Sequence, residues 1–338
     1  MTSLAGTGRR GSALARTPVE VRTAELEQEP AVRAWRELGA GPCPERLELL
    51  RRRHKSVVYR LPGVGRDGSD VIAKQCLWQI SLDERAVYEL LRELPGAHLT
   101  YYGFFAEPTR EAGWLFVEDA RGDPWDPGDA EQRRLAARWL AELHIVSSRS
   151  ANGALLPDRG PAWFSGQLDL ASRGIAAGFA NPALLPEARP VLDGVLRLLD
   201  EVSSCWLEVE IACAAMPRAL VHGDFAERNV RIRCEGGETR VLAFDWEVAG
   251  WGLPAVDLPN IDLSAYAEAV QRVWPRLDLA KLAPLGQLLR GGIAAVSWAS
   301  ESLTTSWPHG AVCDLVHYQL RIVESLAQLG WRPNRVSG

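Results

Sequence analysis

Between Leu47 and Cys76 the chain alternates short apolar and polar runs. Leu47–Arg52 alternates, His54-Lys55-Ser56 interrupts, and residues 57–61 (VVYRL) are β-branched and aromatic. A glycine-rich turn over 62–68 and a second run, 71–76 (VIAKQC), follow. Such runs bounded by turn residues predict strands. Residues 83–94 change period, with Leu82, Ala86, Leu90, Leu91 and Leu94 at helical spacing and Pro95-Gly96 as the stop. Two more strands are predicted over 99–105 and 114–118. Beyond Gly122 helical spacing dominates, predicting helices over 129–146, 167–179, 189–214, 264–274, 280–304 and 311–329. One hairpin is embedded among them, its strands 230–234 and 240–244 joined by the turn Glu235-Gly236-Gly237-Glu238-Thr239. The pattern predicts an α/β (α+β) chain in three parts. Residues 1–18, rich in Gly, Ser, Thr, Ala and Arg, form a flexible tail. Residues 19–118 form a small β-rich N-lobe with one inserted helix, and 119–338 a larger, mainly helical C-lobe.

Composition narrows the class. The 338 residues carry 38 Lys+Arg against 43 Asp+Glu, a net charge of −5, which argues against a dedicated nucleic-acid binder. No apolar stretch approaches the roughly 18–20 residues of a membrane span, and the first 18 residues contain no secretory apolar core. The six cysteines are scattered, with no C-x-x-C, so neither a zinc site nor a disulfide framework is expected. A reduced, cytoplasmic protein follows. Of the 38 basic residues only Lys55, Lys74 and Lys281 are lysines, which singles each of them out.

The candidate chemistry lies around the hairpin, in LVHGDFAERNVRIRCEGGETRVLAFDWEVAGWGLPAVDL from Leu220 to Leu258. With the hairpin centred on Gly237, Asn229 falls directly opposite Asp245 at its open end, about 4.5–5.5 Å apart at Cβ. An amide oxygen beside a carboxylate suits magnesium, which takes oxygen ligands and completes its shell with water and phosphate. Asp224 precedes Asn229 by five residues and faces the same space. Phosphoryl transfer needs a held metal, neutralised phosphate charge and an oriented hydroxyl. Lys74, ending an apolar strand run, supplies a further cation; as an edge-strand lysine it would instead be merely solvated. Glu84, at the start of the next helix, is a partner for it, and Glu89 on the same helix competes.

These residues resemble a known family. His222-Gly223-Asp224-Phe225-Ala226-Glu227-Arg228-Asn229 is similar to the H-x-D-x-x-x-x-N signature of the aminoglycoside phosphotransferase and choline kinase-like enzymes. Phe244-Asp245-Trp246-Glu247 resembles their metal-binding segment, and Gly252-x-Pro254-x-x-Asp257-Leu258 the run beyond it. Upstream, residues 71–74 resemble the lysine strand, Glu84-x-x-x-Tyr88-x-x-Leu91 the helix whose glutamate pairs with it, and 115–120 the hinge. The resemblance implies a two-lobed protein-kinase-like fold. It implies Asp224 as the group receiving or orienting the acceptor's hydroxyl proton, with His222 orienting the loop. Asn229 and Asp245 would hold Mg2+, and Lys74, positioned by Glu84, would contact the phosphates of ATP, with GTP not excluded. Main-chain groups of Glu118 and Ala120 would meet the adenine edge.

The glycine-rich phosphate loop of protein kinases is missing. Gly63-x-Gly65-x-x-Gly68 falls between the wrong strands and reads as a turn. The phosphate-facing loop is predicted instead at residues 53–56, with Lys55 and Ser56; Lys55 either touches phosphate or is solvated. For the acceptor, Asp257, Asp262 and Glu301 with Tyr266 and Trp298 are candidate pocket residues that would favour a cationic molecule; as a rule, though, such acids are solvated and such aromatics are core. The expected activity is O-phosphotransfer from ATP to a small-molecule hydroxyl, that of an antibiotic or other secondary metabolite. A choline-, ethanolamine- or sugar-type kinase and a nucleotide-binding pseudokinase scaffold are the alternatives. Neither a nucleic-acid nor a membrane partner is expected.

Overall fold

In a computed structural model of the protein, residues 19–21, 26–96 and 98–331 are described; the tail expected at 1–18 lies outside them. The described residues divide into two compact units, those within 1–81 and 100–119, and those within 82–99 and 120–338.

The first unit is built on β1 (Val19–Val21), α1 (Pro30–Leu38), β2 (Leu47–Arg52), β3 (Ser56–Leu61) and β4 (Val71–Leu77). After α2 (Trp78–Leu91), β5 (Tyr101–Ala106) and β6 (Ala112–Glu118) complete it. All six strands form one antiparallel sheet in the order β1-β2-β3-β4-β6-β5. Pattern reading missed α1. Pro30 opens it, Gly39 closes it in the left-handed conformation (φ 65°), and Ala31, Val32, Ala34 and Trp35 make its buried face. Trp35 packs edge-on to Tyr102 and tilted on Phe116, which seats the helix on the sheet. Helix α2 begins five residues earlier than its periodicity suggests, at Trp78. Glu84 therefore lies inside the helix, and the helix-dipole reason for an acid in the first turn does not apply to it.

The second unit runs through β7 (Asp123–Pro124), α3 (Ala130–Ser147), β8 (Asp158–Arg159), α4 (Pro161–Gly178), α5 (Arg189–Ser204) and α6 (Trp206–Ala214). It continues with β9 (Ala219–Val221), β10 (Val230–Glu235), β11 (Glu238–Ala243), β12 (Gly250–Gly252), α7 (Leu263–Val270) and α8 (Leu279–Gly286). A π-helical segment, Gln287–Ala294, then leads into α9 (Ala295–Glu301), and α10 (His309–Leu329) follows. The helix expected over 189–214 is broken at Cys205, whose φ −109° and ψ 23° are not helical. The core of this unit joins Ile175 of α4, Leu192 and Val195 of α5, Ile293 of the π-helical segment and Ile322 of α10. The fold is thus mixed α/β, with sheet in the N-terminal region and helices in the C-terminal part.

The hairpin corrects one geometric expectation. Its register runs from Val230 opposite Ala243 to Glu235 opposite Glu238. The turn is only Gly236-Gly237, both left-handed at φ 58° and 85°, the backbone a two-residue hairpin turn demands. Residue 229 therefore faces Phe244, whose N–H donates to the Asn229 carbonyl at 3.0 Å. Asn229 is not directly opposite Asp245, which lies one residue further on.

Candidate active site

Strand β9 delivers the chain into the loop 222–229, and a buried carboxylate shapes the loop's first turn. Asp257 ends a 3-10 turn, Pro254–Asp257. Its Oδ2 accepts from His222 N at 2.7 Å and its Oδ1 from Gly223 N at 2.8 Å. The His144 Nε2–H of α3 donates to the same Oδ2 at 3.2 Å, and the Tyr266 hydroxyl of α7 donates to His144 Nδ1 at 2.9 Å. These four side chains are buried. Burial and the neighbouring Asp257 charge push the Tyr266 hydroxyl well above its ordinary pKa, which keeps it a neutral donor. Gly223 has φ 73°, and a Cβ there would lie 2.8 Å from the Val248 carbonyl, so the turn requires glycine.

His222 is held by backbone at both ring nitrogens. Nδ1 accepts from Asp224 N at 3.2 Å, and Nε2 donates to the Phe244 carbonyl at 3.1 Å. That pair of roles belongs to the neutral ring, which also packs on Trp246 at 4.5 Å. Both ring nitrogens thus hold the imidazole to the backbone of the loop and of the segment carrying Phe244.

Asp224 is the most contacted group of the loop. Its Oδ2 accepts from Asn229 Nδ2 at 2.8 Å and from Arg228 Nη2, and its Oδ1 accepts from Arg290 Nη2. Asn229 Nδ2 donates also to the Asp224 carbonyl, at 3.0 Å. Both amide hydrogens being engaged, the group Asn229 offers elsewhere is its oxygen. Asp245 is left-handed at φ 66°, a strained backbone for a non-glycine residue that concentrates at functional sites. The next amide, Trp246 N, donates to Glu84 Oε1 at 3.1 Å, so buried Glu84 fixes the chain beside Asp245.

The other expected residues divide between the two units. Lys74 is buried on β4, registered with Val58 of β3 and Leu115 of β6. The competing Glu89 is exposed and pairs with Arg85 at 2.7 Å. Lys55 is exposed between β2 and β3, whereas Ser56 is buried and its carbonyl accepts from Arg53 N at 2.8 Å. The Glu118 N–H donates to the Thr100 carbonyl at 2.8 Å, and the buried Ala120 carbonyl accepts from Arg233 at 3.4 Å.

Three of the acceptor candidates make contacts within the fold. Asp257 and Tyr266 are buried and hold the loop and α3. Asp262 caps α7, accepting from Ser264 N and Ala265 N at 3.0 and 3.1 Å. Trp298 instead lies under the Arg290 guanidinium, 4.2 Å from its ring centre, and Glu301 is exposed at the end of α9. Sequence reading missed His144, Arg228 and Arg290. For Arg290 a signal existed: it is the one charge in the apolar stretch 285–296 (LGQLLRGGIAAV), and a buried arginine requires a partner. Burial lowers its pKa while Asp224 opposes the shift. Among the described residues no group of three His, Cys, Asp or Glu forms a metal cluster.

The chain belongs to the phosphotransferase enzyme family, whose model matches residues 79–292, more than half of its length. A comparison with curated protein sequences gives no significant match. Among solved structures, choline kinase from Cryptosporidium parvum is similar at TM-score 0.58 and 13% identity, over 90% of this chain and 95% of that one. A spectinomycin phosphotransferase in complex with ADP and spectinomycin gives 0.54 and 9%, over 84% and 93%. The GDP complex of wild-type aminoglycoside 2'-phosphotransferase-IIIa gives 0.51 and 16%, over 84% and 91%. At such identities the likeness is one of fold, the protein-kinase-like fold. Family and fold together define the protein as a phosphotransferase, a kinase in reaction class.

Proposed function

We propose that the protein transfers the γ-phosphoryl group of ATP, with magnesium, to a hydroxyl of a small molecule, an antibiotic or other secondary metabolite. The observation that carries this reading is the setting of Asp224, a carboxylate oriented by Asn229 and standing on a loop clamped by Asp257. In the reaction the acceptor oxygen bonds to the γ-phosphorus, the bond from that phosphorus to the β–γ bridging oxygen breaks, and ADP leaves. Asp224 receives the hydroxyl proton as the new bond forms. His222 holds the loop and takes no proton. Lys74 contacts the nucleotide phosphates, residues 53–56 cover them with Lys55 and Ser56, and main-chain groups of Glu118 and Ala120 meet the base.

The donor set fits magnesium. The Asn229 amide oxygen and the Asp245 carboxylate are hard oxygen ligands, and a cation that keeps waters and binds phosphate needs few protein groups. When bound, the ion neutralises phosphate charge. GTP in place of ATP is supported by the GDP complex of one structural neighbour, and a choline-type acceptor by another. A silent scaffold is disfavoured, because Lys74, Asp224, Asn229 and Asp245 are all retained. We assign the nucleotide-binding sheet to residues 19–118, and the catalytic loop, metal-binding hairpin and acceptor groove to 119–338. No described helix is long and apolar enough to cross a membrane, and the six free cysteines accord with a reducing cytoplasm.

Asp224→Ala tests the reading. Phosphoryl transfer should fall by about a hundredfold or more while calorimetry shows nucleotide binding retained. Full turnover in that variant removes Asp224 from the chemistry.

A further inference from the structure

The charged side chains that meet Asp224 are positive, and two of the acids expected to draw a cation, Asp257 and Asp262, are engaged elsewhere. Oδ1 of Asp224 holds Arg290 and Oδ2 holds Arg228, two guanidiniums on one carboxylate. Asp257 is taken up by His222, Gly223 and His144, and Asp262 by the start of α7. Arg290 is no ordinary surface arginine. It projects from the π-helical segment, donates through Nε to the Gly223 carbonyl and lies over the Trp298 ring. Segments of this type recur at functional sites. Burying a guanidinium is costly, and a single carboxylate offsets that cost only in part. Nη1 of Arg290 has no protein acceptor among the described residues, and 18% of the side chain stays open. A rigid guanidinium fork with an open nitrogen matches the geometry of an oxyanion.

We infer that Arg290, assisted by Arg228, determines acceptor specificity, and that the acceptor carries an anionic group, carboxylate or phosphate, near the hydroxyl presented to Asp224. The inference rests on the phosphotransfer reading and narrows it. An amine acceptor would meet two guanidiniums around one carboxylate, a net positive surrounding. A hydroxy acid or a phosphorylated sugar would meet the opposite charge.

The test loads the protein with a non-hydrolysable ATP analogue and magnesium, verifies loading by calorimetry, and then titrates acceptor probes. Glycerate and gluconate form the carboxylate arm, glucose 6-phosphate the phosphate arm, glucose the neutral control, and choline and kanamycin the cationic arm. At least one anionic arm should bind about tenfold more tightly than glucose, and the arm that does so names the source of the charge. Arg290→Gln should lose that preference, and Arg290→Lys should keep part of it. Should Arg290→Gln fail to fold, Arg228→Gln, at a side chain 64% exposed, should weaken the same probe several-fold. Tighter binding of the cations, no anionic preference, or a preference that survives both substitutions overturns the inference. Failure to load nucleotide overturns the phosphotransfer reading instead.

Discussion

Three donors converge on Asp257, two backbone amides and an imidazole, and Asp257, His222 and His144 are buried. Asp257→Asn keeps the shape but replaces one acceptor oxygen with an NH2 group, so at least one of those donors meets another donor. A buried donor left without its acceptor costs about 1–3 kcal/mol, and the loss falls on the turn that aims Asp224. We expect urea unfolding to show about 2 kcal/mol of destabilisation, and kinetics to show kcat reduced more than nucleotide affinity. Unchanged stability would remove Asp257 from its structural role. At this scale the H-x-D-x-x-x-x-N spacing made Asp224 and Asn229 legible. It could not say what Asp257 and Tyr266 touch, because their partners are 35 and 122 residues away in the chain. Asp257, one of the acceptor candidates, is seen to brace the loop only through those distant partners. Arg290 is the converse, an arginine lost among many until its burial beside Asp224 is seen.

Elements inherit their errors from the same source. The alternation of β2, β3 and β4 is a local property and was readable, as was a helix starting near residue 129, where Asp129 caps α3. The start of α2 and the whole of α1 depend on what they pack against, and the break at Cys205 on the helices around it. The hairpin turned on one residue: a five-residue turn and the Gly236-Gly237 turn look alike in sequence but shift the partner of Asn229 from Asp245 to Phe244. Gly286, at the end of α8, shows what packing imposes on an element. A Cβ there would lie 1.8 Å from the Ala255 carbonyl, within the same 3-10 turn that carries Asp257. Alanine gains up to about 1 kcal/mol of helix propensity over glycine. Overpacking against backbone costs about 1–3 kcal/mol, and at this separation the clash prevails. Gly286→Ala should therefore lower the melting temperature and, by moving the Asp257 turn, lower turnover as well. A variant more stable than the parent would contradict that balance.

For the whole molecule, ligand-dependent stability tests the proposed roles of Lys74, Asn229 and Asp245 in holding nucleotide and metal. A ligand that binds only the folded state at a hundredfold excess over Kd adds about 2.7 kcal/mol. Melting curves of the protein alone, with ATP and EDTA, and with ATP and magnesium divide that gain into metal-independent and metal-dependent parts. Substituting alanine for Asp245 would confound the measurement, because φ is 66° there and the strained backbone changes the reference state. Asparagine tolerates the left-handed region and removes only the charge. Asp245→Asn should therefore melt close to the parent without ligand, keep the increment seen with EDTA, and lose about 1.4 kcal/mol or more of the magnesium increment, a tenfold loss of affinity. Lys74→Ala should lower the increment with and without magnesium, since the proposed role of the lysine is to meet phosphate directly. If Asp245→Asn retains the full magnesium increment, the cation is held by other groups, and the strained backbone at Asp245 serves the fold alone.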